Sequence, residues 1–246
     1  MGIIILFLLR KDKLQKIINA ALKEKRYLLN EIESKNLVKS YKIPVVTTKL
    51  ATNLKEARDI ASKLKFPLVM KIVSNDISHK SDIGGVVLGV SSLREVDSNY
   101  KSMMRAVKKA NKHAVIQGVA MQPMVDDGIE LVVGVTTDQQ FGPVLMFGLG
   151  GVFVEFMKDV SFKLIPLRKV DAKNILSEIK SKEILLGARG FPKIDLIKLQ
   201  ELILNVSNFV QDNPEIEEVD LNPVIANSKE MLAVDARIVL KHQATK

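Results

Sequence analysis

Apolar residues along this chain switch between two spacings, and the switches mark its elements. Leu14, Ile17, Ile18 and Ala21 recur at helical spacing, followed by a second stripe of Leu29, Ile32, Asn36, Leu37 and Tyr41. Residues 12–41 are therefore expected to be helical in two pieces. Pro44 stops the second, and Val45-Val46 is a short extended piece. Asn53-x-x-Glu56 is a capping-box pattern. It opens a helix expected to bury Ala57, Ile60, Ala61 and Leu64, and Pro67 closes it. The apolar run Leu68-Val69-Met70 then reaches Lys71. A polar loop follows from Ser74, and Gly84-Gly85 opens a second run, Val86-Val87-Leu88. This reads as strand, loop, strand. Ser92-x-x-Glu95 starts another helix, with Val96, Tyr100, Met103 and Val107 inward.

The second half repeats the mixture. Val115–Met121 is extended, and Asp126-Asp127-Gly128 is a turn. Glu130–Thr136, Val144–Phe147, Val152–Val154 and Leu164–Leu167 read as strands, and Asp171–Ser181 and Leu196–Gln211 as helices. The last of these carries Leu199, Leu202, Ile203, Val206, Phe209 and Val210 on one face. The pattern is that of an α+β protein in two parts, with a hinge expected near Gln117–Met124. The division expected is an N-terminal extension over 1–25, one subdomain over 26–119 and a second over 120–246.

The tail ends in a hairpin. Val224–Ala226 and Met231–Val234 flank a four-residue loop, Asn227–Glu230, a common hairpin length. Pairing Ala226 with Met231 sets Asn222 opposite Asp235 and Asp220 opposite Arg237. Directly paired side chains lie about 4.5–5.5 Å apart at Cβ. Two oxygen-bearing side chains at that spacing suit one hard cation such as Mg²⁺. An exposed polar pair at a strand end fits the same pattern, and Pro223 removes a ladder donor beside it.

Composition narrows the picture. Hydrophobic residues make up 47% of the 246 residues, and Trp is absent, so the core is aliphatic. Cysteine is also absent, which rules out a disulfide framework, a thiol nucleophile or a thiolate metal site and fits a cytoplasmic protein. The oily start, Gly2–Leu9, is too short for a bilayer, which needs about 20 residues in a helix. It lacks the flanks of a signal peptide, so no membrane association is expected. The net charge of +9 is spread along the chain, without zinc-finger spacing or an aromatic-rich RNA motif. A nucleic-acid-binding module would show steep salt dependence. A basic surface equally suits polyanionic small molecules such as nucleotides.

His79, one of three histidines, stands in the polar loop beside Lys80, with Asp76 and Asp82 near. Taken alone it reads as a solvated loop histidine. The chain has no G-x-x-x-x-G-K-[ST] phosphate loop. Gly148-x-Gly150-Gly151 lacks the third glycine of the dinucleotide fingerprint, where Phe153 stands. A glycine-rich turn can still offer backbone N–H groups to an anion.

Taken together and in order, Lys71, S-H-K-S-D-I-G-G-V (Ser78–Val86), Q-P-M-V (Gln122–Val125), G-L-G-G-V-F-V-E (Gly148–Glu155), V-D-L-N-P-V (Val219–Val224) and A-V-D-A-R (Ala233–Arg237) resemble the β subunit of ADP-forming acetyl-CoA synthetase. The resemblance covers roughly 26–240. It implies an ATP-grasp fold with the nucleotide in the cleft between two α+β subdomains. It also implies the reversible reaction of acyl-CoA, phosphate and ADP to acid, CoA and ATP. A partner α subunit would carry the CoA site and a first phosphohistidine, in an α₂β₂ assembly. No CoA-binding Rossmann unit is legible here, so the chain alone is not expected to complete the reaction.

By the same resemblance His79, on a mobile loop over 74–85, ferries the phosphoryl group, and Asp220 steadies it. An imidazole nucleophile splits one hard transfer into two easier ones. Lys71 would touch nucleotide phosphates, Gln122, Pro123, Met124 and Val125 would line the adenine, and Glu130 would be the acid of the nucleotide site. Asn222 and Asp235 would be the Mg²⁺ ligands. Gly150, Gly151 and Glu155 would belong to the α-subunit face or the phosphate approach. Succinyl-CoA synthetase β subunits share the fold, but the S-H-K-S-D-I-G-G segment favours the acetyl-CoA family. Read simply as residues, Lys71 is also an ordinary strand-end lysine and Gln122–Val125 a linker.

Overall fold

The computed structural model describes residues 15–74, 76–77, 80–125, 127–151 and 158–242. The chain divides into two compact units, one of Asn30–Ile32 with Val46–Asp126, the other of Met1–Leu29, Glu33–Val45 and Asp127–Lys246. No helix among the described residues is long and apolar enough to cross a membrane.

The smaller unit is a four-stranded antiparallel sheet with two helices on one face. Its strands are β1 (Lys49–Ala51), β2 (Leu68–Val73), β3 (Val86–Val90) and β4 (Gly118–Pro123), in the order β1-β4-β2-β3. Earlier in the chain, a helix over 15–23 is α1 and Glu31–Ser40 is α2. The helices on this sheet are then α3 (Leu54–Ala61) and α4 (Leu93–Ala110). Both start where their caps dictate: the Asn53 side chain accepts from the Glu56 N–H and the Ser92 side chain from that of Glu95. In α4, Val96, Tyr100, Met103 and Val107 are the buried residues, one stripe at helical spacing. They meet Leu68, Met70, Ile72, Val119 and Met121 of the sheet. Each such side chain, fully buried, contributes about 1.5–3 kcal/mol before entropy is counted. Because strand residues alternate, Val69, Lys71 and Val73 of β2 point to the other face.

The larger unit is a six-stranded antiparallel sheet covered by helices. Its strands are β5 (Ile129–Asp138), β6 (Gly142–Leu149), β7 (Val160–Leu164), β8 (Ile216–Ala226), β9 (Met231–Ala233) and β10 (Arg237–Leu240). The order is β10-β8-β5-β6-β7, with β9 also on β8. The helices after β7 are α5 (Lys169–Glu178), α6 (Lys182–Leu185) and α7 (Leu196–Asp212). The α7 stripe of Leu199, Leu202, Ile203, Val206, Phe209 and Val210 is buried as its spacing predicts. It shares a core with Leu131, Val133, Leu145, Phe147, Val219 and Leu221. Glu130, Asp220 and Asn222 alternate with these residues, so they belong to the opposite face.

Three expectations need correction. Gln117–Met124 is not a hinge: β4 forms ladders with β1 on one side and β2 on the other. A strand bonded along both edges cannot act as a linker, and the two units part between Asp126 and Asp127. Residues 33–45, assigned above to 26–119, pack with the larger unit. Nor is 1–25 wholly an extension, since Ile18 and Ala21 of α1 are fully buried in the larger core. A smaller shift concerns the strand expected over Leu164–Leu167, which runs Val160–Leu164. The strand expected over Val152–Val154 and the Gly2–Leu9 segment lie outside the described residues.

Candidate functional site

The first group of candidate residues lies on the smaller sheet's helix-free face. Lys71 pairs across the ladders with Val86 and Ala120. Its Nζ lies 3.1 Å from Oε1 of Glu31, in an ion pair whose side chains are 8% and 2% exposed. Removing one partner of such a buried pair costs about 3–5 kcal/mol. Gln122 pairs with Val69, is 1% exposed, and its Oε1 accepts from the Thr48 hydroxyl at 2.9 Å. Pro123 pairs with Leu68, and the Met124 N–H donates to the Pro67 carbonyl at 2.9 Å. Met124 is 42% exposed and Val125 half-buried. Lys71 and Gln122 thus share one face, while Met124 and Val125 continue the chain beyond the sheet.

Glu31 and Thr48 were not legible in the sequence. Glu31 stands in the first turn of α2, where a glutamate is commonplace. Its partner lies forty positions away, and no local pattern announces it.

His79 and Ser78 lie outside the described residues, as does Glu155. The stem of the histidine loop is described. The Asp76 carboxylate accepts the Val115 N–H at 2.7 Å. Ser81–Ile83 form a single 3₁₀ turn ended by Gly84 at φ 69°. The Gly85 N–H donates to the Lys80 carbonyl at 2.7 Å, and a Cβ on Gly85 would lie 2.8 Å from that oxygen. Glycine is needed here for a close backbone approach that closes the loop on itself.

The second group lies on the outer face of the six-stranded sheet. Ala226 pairs with Met231 and Val224 with Ala233, and further down Asp220 pairs with Arg237 and Glu218 with Val239. One register runs through both segments, which sets Asn222 opposite Asp235. On the other side β8 bulges: Leu131 pairs with Val224 but Val133 with Leu221, so Val132 faces both Asn222 and Pro223. A bulge tolerates a proline, and the Pro223 carbonyl still accepts the Val234 N–H at 2.9 Å. Bulges re-aim side chains, and this one begins at Asn222.

Asp220, Asn222, Asp235 and Arg237 share this face with Glu218, which Arg237 binds at 3.0 Å. Burial lifts the Asp220 carboxyl above its ordinary pKa; Glu218 and Asp235 add to the rise and Arg237 opposes it. The group therefore gains from an added cation. Asn222 and Asp235 supply an amide oxygen and a carboxylate, the oxygen chemistry Mg²⁺ takes. Among the described residues no set of three or more acidic, histidine or cysteine side chains forms a metal cage.

Glu130 is on the same face, and the glycine turn is built around it. The Gly150 N–H donates to the Glu130 carbonyl at 2.6 Å. A Cβ on Gly150 would lie 3.0 Å from the Glu130 Cβ, and one on Gly151 would lie 3.3 Å from Glu130 Oε2. Both glycines therefore make room for Glu130.

A family model described as an ATP-grasp domain matches residues 20–240. The chain is 41% identical to the acetate–CoA ligase (ADP-forming) I subunit beta of Pyrococcus furiosus, over 94% of this chain and 99% of that one. It is 42% identical to the 4-hydroxybutyrate–CoA ligase (ADP-forming) of Nitrosopumilus maritimus, over 93% of this chain but only a third (33%) of that protein. The dinucleotide forming acetyl-coenzyme A synthetase 1 of Candidatus Korarchaeum cryptofilum, solved with coenzyme A and Ca-AMPCP, superposes with a TM-score of 0.90 at 40% identity, covering 92% of this chain and 99% of that one. Its form with Mg-AMPPCP, described with the phosphohistidine segment pointing towards the nucleotide binding site, superposes with a TM-score of 0.82 at 37% identity, over 93% and 100%. The chain belongs to the ATP-grasp family, among the β subunits of the ADP-forming acetate–CoA ligases.

Proposed function

We propose that this chain is the nucleotide-binding β subunit of an ADP-forming acid–CoA ligase, passing a phosphoryl group to ADP by way of His79. The end-to-end match with a separate β subunit carries this reading. The acyl-CoA half of the reaction then falls to a partner α-type chain. In the relative that this chain spans by a third, the remaining length leaves room for that half within one polypeptide.

An imidazole nitrogen of His79 attacks the phosphorus of a phosphohistidine on the partner, so a new N–P bond forms as the old one breaks. A terminal oxygen of ADP then attacks the same phosphorus, the His79 N–P bond breaks, and ATP and free imidazole result. Asp220 steadies the imidazole at the second step. Lys71 sets a positive charge against the phosphates, and Gln122–Val125 line the base. Glu130, seated on Gly150 and Gly151, is the acid of the nucleotide site. Asn222 and Asp235 would hold Mg²⁺, which when bound neutralises phosphate charge. With His79 as the carrier, the loop stem held at Asp76 and Gly85 is where its motion pivots.

The second step runs in reverse on this chain alone. Incubation with Mg²⁺ and ATP labelled at the γ-phosphate should leave an acid-labile, alkali-stable label on the protein. His79→Ala should take none while still binding ADP. Undiminished labelling of His79→Ala, or no label on the parent chain, would overturn the reading.

A further inference from the structure

Glu31 has no part in the function proposed above, yet among the described residues it is one of two buried acidic residues, with Asp159. It opens α2, and its Oε1 accepts from Lys71 Nζ at 3.1 Å. The helix start is itself pinned, because the neighbouring Asn30 amide donates to Gln117 Oε1 at 3.1 Å. Stability does not account for this arrangement. A helix N-terminus gains as much from an exposed acid. A buried ion pair commonly adds nothing over apolar residues of the same volume. What the pair does achieve is to fix the charged end of a lysine, a point charge on a four-carbon stem.

We infer that Glu31 is a positioning residue for Lys71, fixing its ammonium group at the place where a nucleotide phosphate arrives. The inference rests on the nucleotide-binding reading and adds the source of the lysine's placement. An ammonium group has three donors, so bonding Glu31 is compatible with bonding a phosphate oxygen. Without this carboxylate, the ammonium either shifts toward its other neighbours or is disfavoured as a buried charge. In both cases the phosphate loses a cation already in place, and the ligand must then supply the ordering.

The test is calorimetric titration of the full chain with adenosine, AMP and Mg·ADP. Glu31→Gln should bind adenosine as the parent does, Mg·ADP about tenfold more weakly, and AMP in between. Glu31→Asp should recover most of the difference. In a Lys71→Met background, Glu31→Gln should have no further effect. The inference is overturned if Glu31→Gln binds Mg·ADP like the parent, or loses adenosine as much as Mg·ADP. It is equally overturned if the loss persists in the Lys71→Met background. Should Glu31→Gln fail to fold, Glu31→Asp carries the test through the smaller loss its shorter side chain leaves: that residual loss should grow from adenosine to AMP to Mg·ADP, and its absence or its failure to grow with phosphate number overturns the inference. A parent chain that binds none of the three ligands would instead sink the nucleotide reading itself.

Discussion

Replacing Gly150 by alanine should damage both stability and ADP turnover, and for one geometric reason. A Cβ at this position would sit 3.0 Å from the Glu130 Cβ and 3.2 Å from the Glu130 carbonyl carbon. Carbon atoms pack best at about 3.5–4.0 Å, so one chain must give by about half an ångström. Neither is free to do so. Glu130 is in the β5–β8 ladder opposite Ile225, and its carbonyl already holds the Gly150 N–H at 2.6 Å. Overpacking of this kind costs about 1–3 kcal/mol. It also shifts the Glu130 carboxylate, and since a 1 Å misplacement can cost about a hundredfold in rate, half of that should lower kcat/KM for ADP about tenfold. Denaturant titration and steady-state assay with the α-type partner measure the two effects. Gly142→Ala is the control: its φ is +79° with nothing within 4 Å of a new Cβ. It should lose about 1–2 kcal/mol through backbone strain and leave ADP turnover unchanged. Parental stability and parental KM in Gly150→Ala would refute the claim that the turn is built around Glu130.

Asp159 gives a pH test. Burial pushes its carboxyl up, but the N–H groups of Lys180 and Ser181, each at 2.7 Å, help bring it net below the ordinary value. A carboxyl lowered in the folded state stabilises fully above its unfolded value of about 3.9, and loses that contribution as pH falls through the folded value. Asp159→Ala should therefore cost about 3 kcal/mol at pH 7, with the gap narrowing as pH falls below about 4; a gap unchanged at pH 3 by denaturant titration would contradict this. Asp235→Ala should weaken Mg·ADP binding about tenfold or more while sparing ADP without metal, and an unaltered Mg²⁺ dependence in calorimetry would remove Asp235 from the ligand set.

Local chemistry made much of the fold legible. Asn53 and Ser92 announced their helices because a cap needs only residues three apart. The Val96–Val107 stripe was readable because burial on one face leaves a period. The hairpin register was readable because a four-residue loop leaves one pairing, and that pairing carries on to Asp220 and Arg237. The strand expected to end at Lys71 was visible on the same grounds, although it runs on to Val73 and leaves Lys71 inside it, as were the helices around Asp171 and Leu199.

What the sequence by itself determined is whatever is written within a dozen residues: caps, stripes, the hairpin, and motifs that stand in a recognisable order. Only the tertiary structure decided that Gln122 belongs to an interior strand, that β8 bulges at Asn222, that Gly150 seats Glu130, and that Glu31 holds Lys71. Each of these joins segments distant along the chain. A sheet ladder, a close backbone contact or a buried ion pair leaves no period in either partner's own sequence, because its energy depends on where the two are brought together.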